Sequence, residues 1–353
     1  MAAIERVALA NSPDPEIDWR RVAYLLHVSR ALDAIEETKL VPERKIFYQF
    51  SARGHDLAQI LLGLQLTHKN DAICGYYRSR PVLLTLGVPV ADTLGSCMAR
   101  AGGYSDGRDI GAVFNFPNPD GASALPMCGG VGAQFTPTAG WAQALLYRRG
   151  VLGEKECERA IGVVLGGDAS VATNGFWSAL TIATTLKLPM LFYIEDNGFG
   201  ISVPSVLQTP GGDVAKNLAS FSGLHVLSGD GTEPAEAARL IKHAVRHARE
   251  RLGPVLLRLA VPRLEGHSFQ DTQTYKSDDL VASERARDPL PKLRDYLVPA
   301  ELDGREWDRS AAEAVDAAER AREEAEARPV ADLEGTASHV FFDGVMQKEG
   351  GQW

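Results

Sequence analysis

An acidic residue and an asparagine follow two neighbouring apolar runs of this 353-residue chain. Gly167 and Asp168 come shortly after the run 161–165, and Asn197 comes shortly after the run 189–194. Because the carboxyl ends of parallel strands meet at one edge of a sheet, we expect Asp168 and Asn197 to lie close together. Carboxylate and amide oxygens are ligands that Mg²⁺ prefers, and glycine lets a backbone approach a ligand closely. The pattern predicts a site for magnesium and a diphosphate.

The two apolar runs have the length and composition of buried strands. Between them, Phe176, Leu180, Ala183 and Leu186 share one helical stripe, so the segment is strand, helix, strand, which is typical of a parallel sheet with right-handed crossovers. A helix over 234–251 is predicted to join two more strands, at 224–227 and 255–261. The predicted fold class is therefore α/β, with a parallel sheet and helices on both faces.

Helical patterns are also present nearer the chain ends, at 18–40, 56–66 and 310–328. The stretch 100–126 is rich in Gly, Asp, Asn and Pro and predicts a long loop. We divide the chain into three parts: a helical N-terminal extension, 1–46; an α/β domain, 47–297; and a helical C-terminal extension, 298–353.

Composition narrows the class of partner. The formal charge of −9 comes with no basic stripe, which argues against nucleic acid, and no apolar run is long enough to span a membrane. Residues 1–10 lack the features of a signal or transit peptide, so a cytoplasmic location is expected. The cysteines are too far apart for a paired metal or redox motif and fit a reducing compartment: Cys74, Cys97, Cys128 and Cys157.

The spacing of Asp168 and Asn197, together with the flanking sequence KLPMLFYIEDNGFGIS, resembles the thiamine diphosphate motif of the alpha subunits of 2-oxoacid dehydrogenases. This resemblance implies the thiamine-diphosphate-binding fold. It also implies a Mg²⁺ ion bound by Asp168, Asn197 and the backbone carbonyl of Phe199. Around Asp168, the resemblance implies that the cofactor is also contacted by Gly167, Ala169 and Ser170. The family usually has a glycine where this chain has Ala169.

Three further segments resemble the same family. Tyr77 and Arg78 match a tyrosine-arginine pair whose guanidinium reaches the cofactor diphosphate, a geometry suited to bidentate phosphate contacts. Gly129 and Val131, in GGVGAQ, match the stretch that meets the cofactor pyrimidine. His267, in RLEGHSFQD, matches a histidine beside the reactive carbon of the cofactor and is our candidate catalytic residue.

The resemblance covers 47–297 and implies oxidative decarboxylation of a 2-oxoacid, with transfer of the acyl group to a lipoyl domain. Such alpha subunits act in an α2β2 assembly with a beta subunit, together with a lipoyl-bearing acyltransferase. His267 can exchange protons near neutral pH, which suits the acyl transfer step. Ser268 matches a serine that is phosphorylated in some members, although an unmodified hydroxyl is the default.

Two departures lie where a substrate would approach. No histidine occurs in 107–116, where the family often has one, and Glu265 stands where another histidine can occur. The choice between pyruvate, a branched-chain 2-oxoacid and another 2-oxoacid is therefore left open.

Parts of the sequence are compatible with other functions. A second Gly-Asp pair, in Gly229, Asp230 and Gly231, also follows a predicted strand but has no asparagine partner, so we interpret it as structural. A nicotinamide-dependent oxidoreductase requires a G-x-G-x-x-G turn that the glycines here do not form. A different thiamine enzyme, such as a transketolase-like half or an acetoin dehydrogenase alpha subunit, is harder to exclude. The third alternative is a non-catalytic regulatory or scaffold subunit that retains the fold.

Overall fold

The structure is a computed structural model that describes residues 12–109, 111, 115–127 and 129–337. Several expectations fall wholly or partly outside these residues. They concern the absence of a leader at 1–10, part of the segment 107–116, Cys128, and the end of the C-terminal extension from 338 onward.

Within the described residues, six strands form one parallel sheet in the order β2-β1-β3-β4-β8-β7. The strands of this sheet are β1 (Ala72–Cys74), β2 (Ser123–Ala124), β3 (Gly162–Gly167), β4 (Met190–Asp196), β7 (His225–Asp230) and β8 (Val255–Ala260). A short antiparallel ribbon lies after β4 and consists of β5 (Phe199–Gly200) and β6 (Val203–Pro204). The register between β3 and β4 pairs Gly167 with Glu195, so both strands end at the same edge.

Alternate residues of each central strand enter two different cores. Leu165, Tyr193 and Leu257 face one core, whereas Val164 and Phe192 face the other. This alternation buries both faces of the sheet, as expected of parallel strands covered by helices.

The helices complete the two layers. Among the described residues they are α1 (Trp19–Ile35), α2 (Asp56–Gly63), α3 (Arg80–Leu86), α4 (Val90–Cys97), α5 (Phe135–Gly150), α6 (Asn174–Leu186), α7 (Val214–Leu218), α8 (Pro234–Arg249), α9 (Asp278–Arg285), α10 (Pro289–Leu297) and α11 (Gly304–Ala327). Residues of α5, α6 and α7 belong to the core on one face, and residues of α1, α2, α8 and α11 belong to the core on the other. The predicted fold class is therefore confirmed.

The helix between β3 and β4 illustrates how local sequence sets an element. The Thr173 hydroxyl accepts a hydrogen bond from the Phe176 N–H at the start of α6, and Lys187 ends the helix in a left-handed conformation with φ 50°. Phe176 and Leu180 are fully buried, whereas Leu186 is 44% exposed. The predicted stripe is thus correct except for Leu186, the last residue of α6.

The helices near the two ends of the chain pack on the same core as the sheet. Arg30 of α1 donates to Asp56 of α2 and to Asp288 just before α10, which joins three segments far apart in sequence. The domain boundaries at 46 and 297 stay predictions.

Two smaller expectations concern the chain as a whole. Cys74, Cys97 and Cys157 are free thiols. No helix among the described residues is both long and apolar enough to cross a membrane.

Candidate active site

A single cavity of about 880 Å³ lies at the carboxyl ends of β3 and β4. It brings together every residue that the sequence singled out, although these come from five separate segments: Tyr77, Arg78, Gly129, Val131, Gly167, Asp168, Ala169, Ser170, Asn197, Phe199 and His267. A cavity of this size and position is typical of a cofactor site in an α/β protein.

Asp168 lies directly after β3 and is only 5% exposed. Burial, with the negative charge of Asp196 nearby, raises the pKa of its carboxyl to about 7. Its Oδ2 has no hydrogen-bond partner among the described residues. A buried carboxylate oxygen without a partner is costly, and a cation beside it would remove that cost. The residue therefore fits a metal ligand.

Asn197 and Phe199 approach Asp168 from the end of β4. The Asn197 Oδ1 accepts the Phe199 N–H at 3.1 Å, and its Nδ2 lies 3.2 Å from Nε2 of His55. The partner of Phe199 across the β5–β6 ribbon is Pro204, which has no N–H to offer the Phe199 carbonyl. The amide and this carbonyl thus add two oxygen atoms of the type that Mg²⁺ binds.

The turn after β3 tolerates Ala169 in place of the usual glycine. Ala169 has φ −71° and ψ −35°, a right-handed conformation open to any residue. The Ser170 hydroxyl donates to the Gly167 carbonyl at 2.7 Å and accepts its N–H at 2.9 Å, so it stabilises the turn. Gly166 does not line the cavity. It packs so closely against Ser170 and Phe135 that an added Cβ would lie less than 3 Å from both.

Two buried arginines supply positive charge to the cavity. Arg78 donates to the carbonyls of Ser51, at 2.5 Å, and His267, at 3.2 Å, and forms no ion pair with a described carboxylate. Arg263, which we did not predict as a site residue, is 1% exposed and donates to the Ile201 carbonyl. Arg263 also pairs with Asp271 at 3.8 Å, so Arg78 is the guanidinium of the two without a described carboxylate partner, and it suits an anion such as a diphosphate.

His267 lies in the loop after β8, edge-on to the rings of Phe50 and Tyr77. Burial, with the positive charges of Arg78 and Arg263, lowers the pKa of the imidazole to about 4. Its backbone N–H donates to Asp271 at 2.6 Å, which fixes the loop. The ring is therefore neutral at physiological pH and can accept a proton or donate one hydrogen bond.

The segment with Gly129 and Val131 is held against the start of α6. Gly132 has φ +86°, and a Cβ there would meet the Thr173 hydroxyl at 2.1 Å, so only glycine fits. Val131 is 60% exposed at the mouth of the cavity.

A second buried cluster beneath the cavity escaped the sequence analysis. Glu195, fully buried in β4, accepts the Tyr76 hydroxyl at 2.7 Å and Nε2 of Gln59 at 3.0 Å. Burial raises the pKa of Glu195 to about 8, so it is protonated at neutral pH. It and His55 could not be found from sequence, because α2 brings Gln59 and His55 to strand ends more than a hundred residues away.

The Gly-Asp-Gly at 229–231 serves local structure. Asp230 accepts the backbone N–H of Thr232 at 2.8 Å and pairs with Arg287 at 3.2 Å. It does not line the cavity.

The fold and the site define an α/β protein that assembles oxygen ligands, arginines and a neutral histidine at the carboxyl edge of a parallel sheet. The profile of the family described as dehydrogenase E1 component matches residues 26–334, and the chain belongs to this family.

Known alpha subunits of 2-oxoacid dehydrogenases are similar to the chain. A chloroplastic pyruvate dehydrogenase E1 component subunit alpha-3 of Oryza sativa is 27% identical over 79% of this chain and 65% of its own length. The 2-oxoisovalerate dehydrogenase subunit alpha of Bacillus subtilis is 27% identical over 84% of this chain and 87% of its own length. The pyruvate dehydrogenase E1 component subunit alpha of Staphylococcus aureus is 27% identical over 71% and 62%. The chain thus spans slightly less than two thirds of the rice and staphylococcal proteins. The expected family is confirmed.

Proposed function

We propose that the chain is the alpha subunit of a 2-oxoacid dehydrogenase that binds thiamine diphosphate with Mg²⁺. The observation that carries the proposal is the buried Asp168 carboxylate, whose Oδ2 lacks a partner among the described residues, in one cavity with Asn197 and Arg78. Oxygen ligands on one wall and guanidinium groups on another match the two charges of a metal diphosphate.

When bound, thiamine diphosphate supplies the carbon nucleophile and the electron sink for decarboxylation of a 2-oxoacid. Asp168, Asn197 and the Phe199 carbonyl would hold Mg²⁺, and Arg78 would contact the diphosphate. Gly167, Ala169 and Ser170 would shape the turn against it, while Gly129 and Val131 would lie beside the pyrimidine. Tyr77 would support Arg78, whose guanidinium lies 5.5 Å from the Tyr77 ring centre.

His267 would act in transfer of the acyl group to a lipoyl group. The neutral imidazole can donate a hydrogen bond to a lipoyl sulfur, or accept a proton, without first losing one. The two buried arginines that lower its pKa also bind the anion, so cofactor binding should raise the pKa of His267 towards neutrality.

A beta subunit would complete the site in an α2β2 assembly, and a lipoyl-bearing acyltransferase would be the further partner. The cavity mouth supports a protein cover, because Tyr48, Val131 and Ile201 line it and are 49%, 60% and 59% exposed. A cytoplasmic location is part of the proposal. Gel filtration of co-expressed alpha and beta subunits should give one complex, and separate elution would contradict this part.

Calorimetry can test the cofactor site directly. Thiamine diphosphate should bind to the alpha-beta complex only when Mg²⁺ is present. The Asp168→Asn complex should lose this Mg²⁺-dependent binding. Asp230→Asn is the matched control, since it changes an aspartate that also follows a glycine at the end of a strand but lies outside the cavity. Equal binding by the wild type and Asp168→Asn would refute the proposal.

The substrate requires a panel of 2-oxoacids assayed with the reconstituted complex and an artificial electron acceptor. Family membership argues against a nicotinamide-dependent oxidoreductase. Acetoin cleavage would appear as turnover of acetoin but of no 2-oxoacid. A non-catalytic subunit would show neither turnover nor Mg²⁺-dependent cofactor binding.

A further inference from the structure

A second group of metal-ligating side chains lies at the opposite end of the sheet from the cavity. His225 is the first residue of β7, and His243 and His247 are one turn apart on α8. One ring nitrogen of each lies within 4.8 Å of those of the other two. We call these three residues the histidine cluster.

The fold, rather than chance rotamers, brings the histidine cluster together. Strand β7, helix α8 and strand β8 form one crossover unit, so the C-terminal half of α8 returns to the point where β7 begins. Buried residues of α8, including Ile241 and Ala244, fix the helix on the sheet. The His225 N–H donates to the Pro254 carbonyl, which fixes the strand beside it.

The His225 ring stacks on both histidine rings of α8. The His225 ring is nearly parallel to that of His247, with centres 4.4 Å apart and planes 6° apart. It is also close to parallel with His243, at 5.5 Å and 16°. The three imidazoles thus lie side by side, and imidazole nitrogen is the commonest protein ligand of transition metals.

We propose that the histidine cluster binds a divalent transition-metal ion, Zn²⁺ in the first instance, with a fourth position open to water. Two histidines separated by four residues on a helix and a third on a neighbouring strand form a three-nitrogen set of the kind that zinc accepts. Tetrahedral zinc needs its nitrogens about 3.4 Å apart, so the half-buried rings must move together by about 1 Å. Mg²⁺ does not compete, because it prefers oxygen ligands.

The surrounding charge allows a cation here. The carbonyl end of a helix carries partial negative charge, and His243 and His247 lie near that end of α8. Arg249, on the same turn as His247, is occupied by an ion pair with Asp71 at 2.6 Å. The ion would join the edge strand to its covering helix.

This site is independent of the proposed function. Strand β7 separates the histidine cluster from the carboxyl edge of the sheet by about 17 Å, from the usual rise of a strand. The two proposals can therefore fail separately.

The test uses the full chain after transition metals have been removed with a chelator, in a buffer with excess Mg²⁺. The chain is titrated with Zn²⁺ by calorimetry and with Co²⁺ by visible absorption. The wild type should bind one Zn²⁺ equivalent more than a His243→Ala/His247→Ala variant and should give tetrahedral Co²⁺ bands that the variant lacks. At a hundred times the dissociation constant, Zn²⁺ should raise the melting temperature of the wild type by about 3 °C.

Matched variants separate this site from other ligands. His68→Ala, which removes a half-buried histidine elsewhere, and Asp168→Asn should both keep the extra equivalent. His247→Gln, which preserves size and polarity, should weaken Zn²⁺ binding by at least about tenfold and keeps the test valid if the double variant misfolds. The proposal would be overturned by any of three results: no uptake by the wild type, the same number of Zn²⁺ equivalents in the wild type and the double variant, or the same Zn²⁺ affinity in the wild type and His247→Gln.

Discussion

Replacing Asp168 by asparagine should stabilise the metal-free chain at alkaline pH. Burial raises the pKa of the Asp168 carboxyl from 3.8 to about 7, so the folded chain binds this proton more tightly than the unfolded chain does. Each pH unit between the two pKa values corresponds to about 1.4 kcal/mol, so ionising Asp168 in the fold costs up to about 4 kcal/mol. An amide keeps an acceptor oxygen for the backbone N–H groups but carries no charge.

The sign of the pH dependence follows from the raised pKa. The contribution of the protonated group to stability is complete below pH 3.8 and is lost as the pH rises through 7. The advantage of Asp168→Asn should therefore be near zero at about pH 4 and reach its maximum above about pH 7. For a chain of 353 residues, 4 kcal/mol corresponds to a rise in melting temperature on the order of 5 °C.

Thermal unfolding followed by circular dichroism in a chelator, at acid and alkaline pH, measures this difference. Asp230→Asn is the control, and we expect it to have the opposite effect. Burial raises the pKa of Asp230, but hydrogen bonds from Thr232 and the charge of Arg287 lower it overall. Loss of the Asp230 charge should therefore destabilise the chain. In the alpha-beta complex, addition of Mg²⁺ and thiamine diphosphate should reverse the order of the wild type and Asp168→Asn, because only the wild type gains binding energy. A melting temperature of Asp168→Asn below that of the wild type at alkaline pH without metal would refute the reasoning.

Three further substitutions test the environments of buried side chains away from the cavity. Phe176→Ala should cost about 3–5 kcal/mol in urea unfolding, because Phe176 is fully buried and packs edge-on against Phe135 at 5.3 Å; a loss below about 1 kcal/mol would contradict that packing. Arg30→Ala should cost about 3–5 kcal/mol, since it leaves the Asp56 carboxylate buried without its cation, and a double variant with Asp56→Asn should recover part of the loss. Burial, with the charge of Arg30, lowers the pKa of His27 to about 4, so the wild type should lose stability as the pH falls from 6.5 to 4; His27→Gln should flatten this dependence, and equal acid sensitivity would argue against it.

Sequence predicted the central strands and their crossover helices well, because long apolar runs and helical stripes report burial directly. It missed α5, where Pro137 and Gly140 resemble a loop, although proline is compatible with the first turn of a helix. It also missed β1, which has three residues and no period long enough to detect.

The candidate site divides in the same way. Asp168, Asn197 and His267 follow strands, so their meeting at one edge could be predicted from the order of elements. His55 could not be assigned, because its place depends on how α2 packs over the strand ends. Glu195 lies in β4 and Arg263 follows β8, but no spacing or motif marks either of them as a site residue.

The hydrogen bonds of Arg78 connect two parts of the cavity that differ in purpose. Its guanidinium is held by the carbonyl of Ser51 on one side and by that of His267 on the other. The loop of His267 cannot move outward without removing one of these acceptors from the arginine. Opening of the His267 loop would therefore also free the Arg78 guanidinium. Entry of a large substrate past this loop would then weaken the contact between Arg78 and the diphosphate.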